Sequence, residues 1–175
     1  MSNARTLANT INSSSQIVVP SGGVNFGTST DGTGTVTGGI LDDYETGSFT
    51  PTFANFTIGN DGTVFGSYIK VGKIVHLWYG FTFGSDSAIN GSITSSGTAP
   101  FASKARGGTV NCYTPAMGVI WDNGSGWSKI FSQMSDGTAS LGYILRPDST
   151  SVTSTSPITW ATNDSLMLQM TYEID

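Results

Sequence analysis

The sequence predicts an all-β protein: an antiparallel β-sandwich or jelly-roll-like domain preceded by an extended N-terminal arm. Three observations carry that expectation. Charged residues make up 11 % of the 175 residues, against about 25 % in an average globular protein. Apolar residues reach only 37 %, so Ser, Thr, Gly and Asn fill the difference. From Phe49 onward apolar side chains recur at every second position, the spacing of strands with one face turned inward. No helical period follows residue 12. Several strands at regular spacing, separated by turn signals, fit a sandwich or jelly roll. Aromatic residues, at 11 %, argue against disorder, which goes with few aromatics and high net charge.

Residues 1–39 are expected to form the arm. Over residues 2–12, Ser2 can cap one short helix with Ala4, Leu7, Ala8 and Ile11 along one side. A helix of that length needs a partner to persist. Residues 16–19 are a short strand closed by Pro20, Gly22-Gly23 a turn, and Val24-Asn25-Phe26 another extended piece. Residues 28–39 have almost nothing to bury and form a linker. So apolar-poor an arm is expected to be held by sister chains or a neighbouring protein. Leu7, Ile11, Ile17, Val18, Val19 and Phe26 are its candidate anchors.

Residues 40–175 are expected to form the β-domain. In 73–83, Val75, Leu77, Tyr79, Phe81 and Phe83 share one face, and Ile74, His76, Trp78 and Thr82 the other. Large side chains on both faces predict a strand covered on both sides. One thin sandwich would leave Ile74, His76 and Trp78 short of cover, which makes them candidates for an interface between copies. Further strands are expected near 109–121, 127–134 and 140–146. The last strand sets Leu166, Leu168, Met170, Tyr172 and Ile174 against Met167, Gln169, Thr171 and Glu173. Turns are marked by Asn60-Asp61-Gly62, Asp122-Asn123-Gly124 and Asp136-Gly137. A Ser/Thr-rich loop spans 147–157.

A net charge of −5 with 7 Lys+Arg leaves no basic stripe for phosphates and disfavours nucleic-acid binding. No stretch approaches the ~20 apolar residues of a membrane span. Residues 1–6 lack the apolar core of a signal peptide. The single cysteine, Cys112, forms no intrachain disulfide. Its alternation with Val110 reads as a small buried hydrophobe.

Candidate chemistry is sparse. One histidine, His76, excludes a catalytic triad or a two-histidine metal centre within one chain. It is read as a packed or interface residue, with a site shared by several copies as the sharper alternative. Asp42, Asp43 and Glu45 are either a calcium or carboxylate-pair site or a solvated turn. Adjacent carboxylates in extended chain point apart, which favours the turn. No catalytic residue, metal or cofactor is expected, and the protein is read as not an enzyme. Trp121, Trp127 and Trp160, with Tyr113 and Tyr143, form an aromatic set that suits sugars. The segment 121–127 places two indoles around Asp122 and Asn123, so Trp121, Asp122, Asn123 and Trp127 are the glycan-binding candidates. The alternative is a pair of core tryptophans flanking a turn.

Two motifs carry a family resemblance. Residues 40–53 run Ile40-Leu41-Asp42-Asp43-Tyr44-Glu45-Thr46-Gly47-Ser48-Phe49-Thr50-Pro51-Thr52-Phe53. This pattern, L-D-D-Y-E-x-G-x-aromatic-T-P, resembles the join between a Gly/Ser/Thr-rich stem and a compact C-terminal β-domain in bacteriophage tail fibres and related virion proteins. Gly66-Ser67-Tyr68-Ile69-Lys70-Val71-Gly72-Lys73-Ile74-Val75 is similar to the G-x-Y-x-K-x-G-x-x-V hairpin of the same domains. The resemblance covers roughly residues 20–85. It implies a phage virion structural protein, homotrimeric, made in the host cytoplasm and located in the virion. The implied form is a short tail fibre or receptor-binding protein, with the arm residues as virion anchors. The implied partners are tail, baseplate or major capsid proteins and a host-surface glycan. The alternative is a trimeric capsid decoration, cement or head-fibre protein, favoured by the short chain without a repetitive shaft. A glycan depolymerase is a third and weaker reading.

Overall fold

The computed structural model describes residues 24–25, 40–41, 44–107 and 113–175. The chain divides into two compact units, Met1–Tyr44 and Glu45–Asp175. In the first, β1 (Val24–Asn25) and β2 (Ile40–Leu41) form an antiparallel pair. The helix expected over 2–12, the strand at 16–19, the anchors Leu7, Ile11, Ile17, Val18, Val19 and Phe26, the acidic residues Asp42 and Asp43, and Cys112 all lie outside the described residues.

The rest of the chain is all-β, with no helix among its described residues. Its strands are β3 (Tyr44–Ser48), β4 (Phe53–Thr57), β5 (Thr63–Val71), β6 (Ile74–Thr82), β7 (Ala88–Ser95), β8 (Tyr113–Asp122), β9 (Gly126–Ser135) and β10 (Ser165–Glu173). Six of them form one sheet in the order β3-β5-β6-β10-β8-β9, and β4 pairs with β7 in a second. The pairs β5–β6, β6–β10, β10–β8, β8–β9 and β4–β7 are antiparallel.

Alternation in the sequence becomes layering. On the inner face of the large sheet, Val75, Leu77, Tyr79 and Phe81 of β6 are fully buried beside Leu166 and Leu168 of β10. Ala116, Ile120, Ile130 and Met134 extend that layer across β8 and β9. The small sheet closes it from above with Ile89 and Ile93. Phe53 and Phe56 of β4 pack against Phe81, with ring centroids 5.2 and 4.5 Å away. Each such large side chain contributes roughly 1.5–3 kcal/mol relative to exposure, so this layer is what holds the two sheets together.

The β5–β6 hairpin turns at Gly72-Lys73, where Gly72 takes a φ of 55° that a side chain would resist. The 140–146 segment departs from the expected continuous strand. It makes single bridges: Leu141 and Leu145 pair with Met134 and Phe131 of β9, and Tyr143 pairs with Thr94 of β7. Its successive residues thus serve two neighbours in turn, and it closes one side of the sandwich. In the 147–157 loop, Val152 is buried and accepts a hydrogen bond from the Ile93 N–H at 3.0 Å.

Within a single chain, the described residues cover β6 on one side. The small sheet lies on the inner side only. Among the described residues nothing is layered over the outer side, where Ile74 stays 47 % exposed and His76 and Trp78 are half-buried.

Candidate functional site

The two sequence motifs meet in space. β3 lies beside β5 at the edge of the large sheet. Across that edge the Tyr68 hydroxyl donates to Glu45 Oε1, and this bond to the carboxylate holds the Tyr68 phenol above its ordinary pKa. A Cβ built on Gly47 would come within 2.7 Å of the Tyr68 ring, so glycine there lets the ring lie over the backbone. One turn of the pattern later, the Phe49 N–H donates to the Gly66 carbonyl at 3.0 Å. A Cβ on Gly66 would meet the Phe49 ring at 2.6 Å. The motif lysine, Lys70, is buried, with its Nζ 5.7 Å from the Phe101 ring centroid. Glu45, Gly47, Phe49, Gly66 and Tyr68 are therefore one contact set, which starts the β-domain at its edge strand.

The second feature is the outer face of the large sheet. Trp121 and Trp127 sit directly opposite each other on β8 and β9, with centroids 5.9 Å apart and planes tilted by 24°. They are 38 % and 70 % exposed, so they are surface tryptophans and not a core pair. The next outward positions along these strands are Val119 opposite Lys129 and Met117 opposite Phe131. On β10, Met167 lies beside Val119 and Gln169 beside Met117. Met117, Val119, Lys129, Phe131, Met167 and Gln169 line a shallow groove of about 310 Å³ on this face.

Only half of the expected glycan set converges. Trp121 and Trp127 share the outer face, but strand alternation turns Asp122 to the opposite side. Asn123 sits at the hairpin apex and gives its backbone N–H to Asp164 Oδ1 at 2.8 Å. Trp160 belongs to the interior: it packs on Phe81 and Phe83 and donates its indole N–H to the Thr153 carbonyl at 3.0 Å. Tyr113 and Tyr143 are both exposed.

The interface candidates lie on the same outer face as the tryptophan pair. Ile74, His76 and Trp78 of β6 stand opposite Glu173, Thr171 and Gln169 of β10. His76 shares a hydrogen bond between Nδ1 and Thr171 Oγ1. Its ring meets Trp78 edge-on at 4.2 Å. Both features describe a histidine fixed by its neighbours. Among the described residues no group of three His, Cys, Asp or Glu side chains is placed to hold a metal ion.

Sequence reasoning passed over Met117, Phe131, Met167 and Phe65. The signal was present in 113–122, whose outward residues Tyr113, Met117, Val119 and Trp121 are bulkier than the inward Thr114, Ala116, Gly118 and Ile120. Comparison with known proteins finds no matching family model, no similar curated protein and no similar solved structure.

Proposed function

We propose that this chain is a bacteriophage virion structural protein, a short trimeric tail fibre or receptor-binding-type protein whose β-domain is joined to the particle through its N-terminal arm. The observation that supports this most is the contact set just described. The residues that carry the resemblance are the ones that touch: Glu45 with Tyr68, Gly47 under the Tyr68 ring, and Phe49 against Gly66. The two motifs answer to one local structure, as expected if they mark a join between a stem and a β-domain. A composition shared by chance would not require these identities to meet. The chain's low charge, rich in neutral hydroxyls, suits an exposed particle surface.

Capsid decoration is the second reading, because an all-β domain of this kind suits either place on a particle. Copy number per particle separates the two: a few to some tens of copies fit a tail part, and hundreds fit a decoration. The experiment is quantitative mass spectrometry of purified particles, with a companion strain lacking residues 1–39. The reading expects the truncated protein to fold and to be missing from particles. Absence of the full-length chain from particles, or normal incorporation without the arm, overturns it.

A further inference from the structure

The outer face of the large sheet is unusual for a protein surface. Nine of the eleven large hydrophobic side chains exposed among the described residues project from it, on β5, β6, β8, β9 and β10. Six of these, Phe65, Met117, Trp121, Trp127, Phe131 and Met167, form a band that the ladder registers make continuous. With 150–250 Å² per aromatic and their fractional exposures, the band offers roughly 600 Å² of apolar surface. That is at the upper end of the roughly 300–600 Å² typical of the largest patch on a monomer. With Ile74, Val71 and the neutral side chains between them, the face approaches the roughly 800 Å² per partner of a standard interface.

Charge and shape both point to the occupant. In a chain of net charge −5, the outward positions on the strands of this face carry one lysine, Lys129, and one glutamate, Glu173, whose carboxylate is paired with Lys104 at 2.6 Å. So sparse a set of charges leaves little repulsion between two such faces. The face also bears both a projection and a recess. Trp127 stands 70 % exposed at one end of the band, and the groove lined by Met117, Phe131 and Met167 lies beside it. A knob and a hole side by side on one surface make that surface self-complementary, so the knob of one copy can enter the hole of another.

We propose that this outer face is where copies of the chain meet, the Trp127 ring of one copy seating in the Met117–Phe131–Met167 groove of the next. The number of copies, three, rests on the reading of the chain as a trimeric virion protein. The location of the interface rests on the face alone. It also assigns the tryptophan pair to assembly and away from glycan.

The test is native mass spectrometry and light scattering of the full-length chain at micromolar concentration, with three variants. Trp127→Ser removes the knob, Met117→Lys charges the hole, and Tyr143→Ser alters an exposed aromatic outside the band. None of these side chains is buried, so each variant is expected to fold, and circular dichroism checks that it does. The wild type and Tyr143→Ser should be trimers. Trp127→Ser should weaken assembly about thirtyfold or more, the loss typical of a tryptophan anchor, and Met117→Lys should be monomeric. A wild-type trimer indifferent to both face variants overturns the location and leaves the trimer standing. A wild-type dimer that both variants dissociate supports the location and overturns the trimeric reading. A wild-type monomer whose melting temperature falls in Trp127→Ser means the chain covers its own face, and the proposal fails. A trimer intact in Trp127→Ser that loses attachment to host cells returns the tryptophans to glycan binding.

Discussion

Replacing Asp164 should loosen the hairpin that presents Trp121 and Trp127. Asp164 is 1 % exposed and stands just before β10. Its Oδ1 accepts the Asn123 N–H at the hairpin apex at 2.8 Å, and its Oδ2 accepts the Ala161 N–H at 2.6 Å. Its backbone carbonyl takes the Phe83 N–H at 2.8 Å. One buried carboxylate thus ties the apex to the loop before β10, and the backbone carbonyl of the same residue holds the end of β6. Hydrogen bonds to a charged group contribute about 1.5–3 kcal/mol each. Both donors are only partly buried, so water can replace some of that, and Asp164→Ala should cost about 2–4 kcal/mol in all. For a unit of this size the melting temperature should fall by roughly 8–15 °C. Asp164→Asn keeps one acceptor and turns an amide toward the other donor, and should lose about half as much. Thermal unfolding followed by circular dichroism measures the loss. The coupled-indole signal of the stacked Trp121 and Trp127 should weaken in the alanine variant before the global transition. A change under about 0.5 kcal/mol, the range of an ordinary surface substitution, would refute the tether.

Three further outcomes are expected. Gly66→Ala should push the Phe49 ring and carbonyl out of place, at a cost of about 1–3 kcal/mol of overpacking; unchanged denaturant midpoints would remove the contact explanation of the motif glycine. At alkaline pH, burial pushes the Tyr172 phenol up to about 12 and raises that of Tyr79, so the unfolded chain ionises first. Stability should fall from about pH 10 toward 12, and Tyr172→Phe should flatten that fall, which a pH series of melting curves would show. At the acid end the Lys104 ammonium, 2.6 Å away, holds Glu173 below its ordinary 4.5. Its contribution is present above about that pH and is lost as pH falls through the lower folded value. Lys104→Met should therefore lower the melting temperature at neutral pH and make no difference once Glu173 is protonated.

The strands that sequence makes legible are those whose apolar residues are large and strictly alternate. β6 and β10 fall in this group, and so does the β8–β9 hairpin with its Asp122-Asn123-Gly124 turn. β4 and β7 do not announce themselves. Phe53 with Phe56, and Ile89 with Ile93, are spaced by an odd and an even interval respectively and embedded in Asn, Gly, Ser and Thr. The β4–β7 register shifts between Ala54 and Phe56, and this bulge breaks the period in β4. In 140–146 an alternating sequence made only single bridges, because its two sides serve different sheets. At the site, aromatic content alone flagged Trp121 and Trp127. The grouping with Asp122 ignored the alternation that sends neighbouring side chains to opposite faces.

That alternation has a consequence for how the surface can be used. Ile74, His76 and Trp78 suggested contact between copies, and Trp121 and Trp127 suggested a sugar platform, yet all five stand on one side of one sheet. β10 alone separates the two sets, contributing Met167, Gln169 and Thr171 between them. A partner protein broad enough to cover the first set reaches the second. The two uses therefore compete, and their affinities are unequal. A sugar stacked on two rings without a directed carboxylate would bind near millimolar, about −4 kcal/mol. A protein face that withdraws a band of tryptophan, phenylalanine and methionine from water offers several anchors of about 2 kcal/mol or more each. Where both are available the protein partner takes the face. On the proposed reading as a virion protein, attachment chemistry would then fall to surfaces that the sheet does not claim, such as the closing segment with its exposed Tyr143 and Arg146, which is held by Thr150 and Ser156.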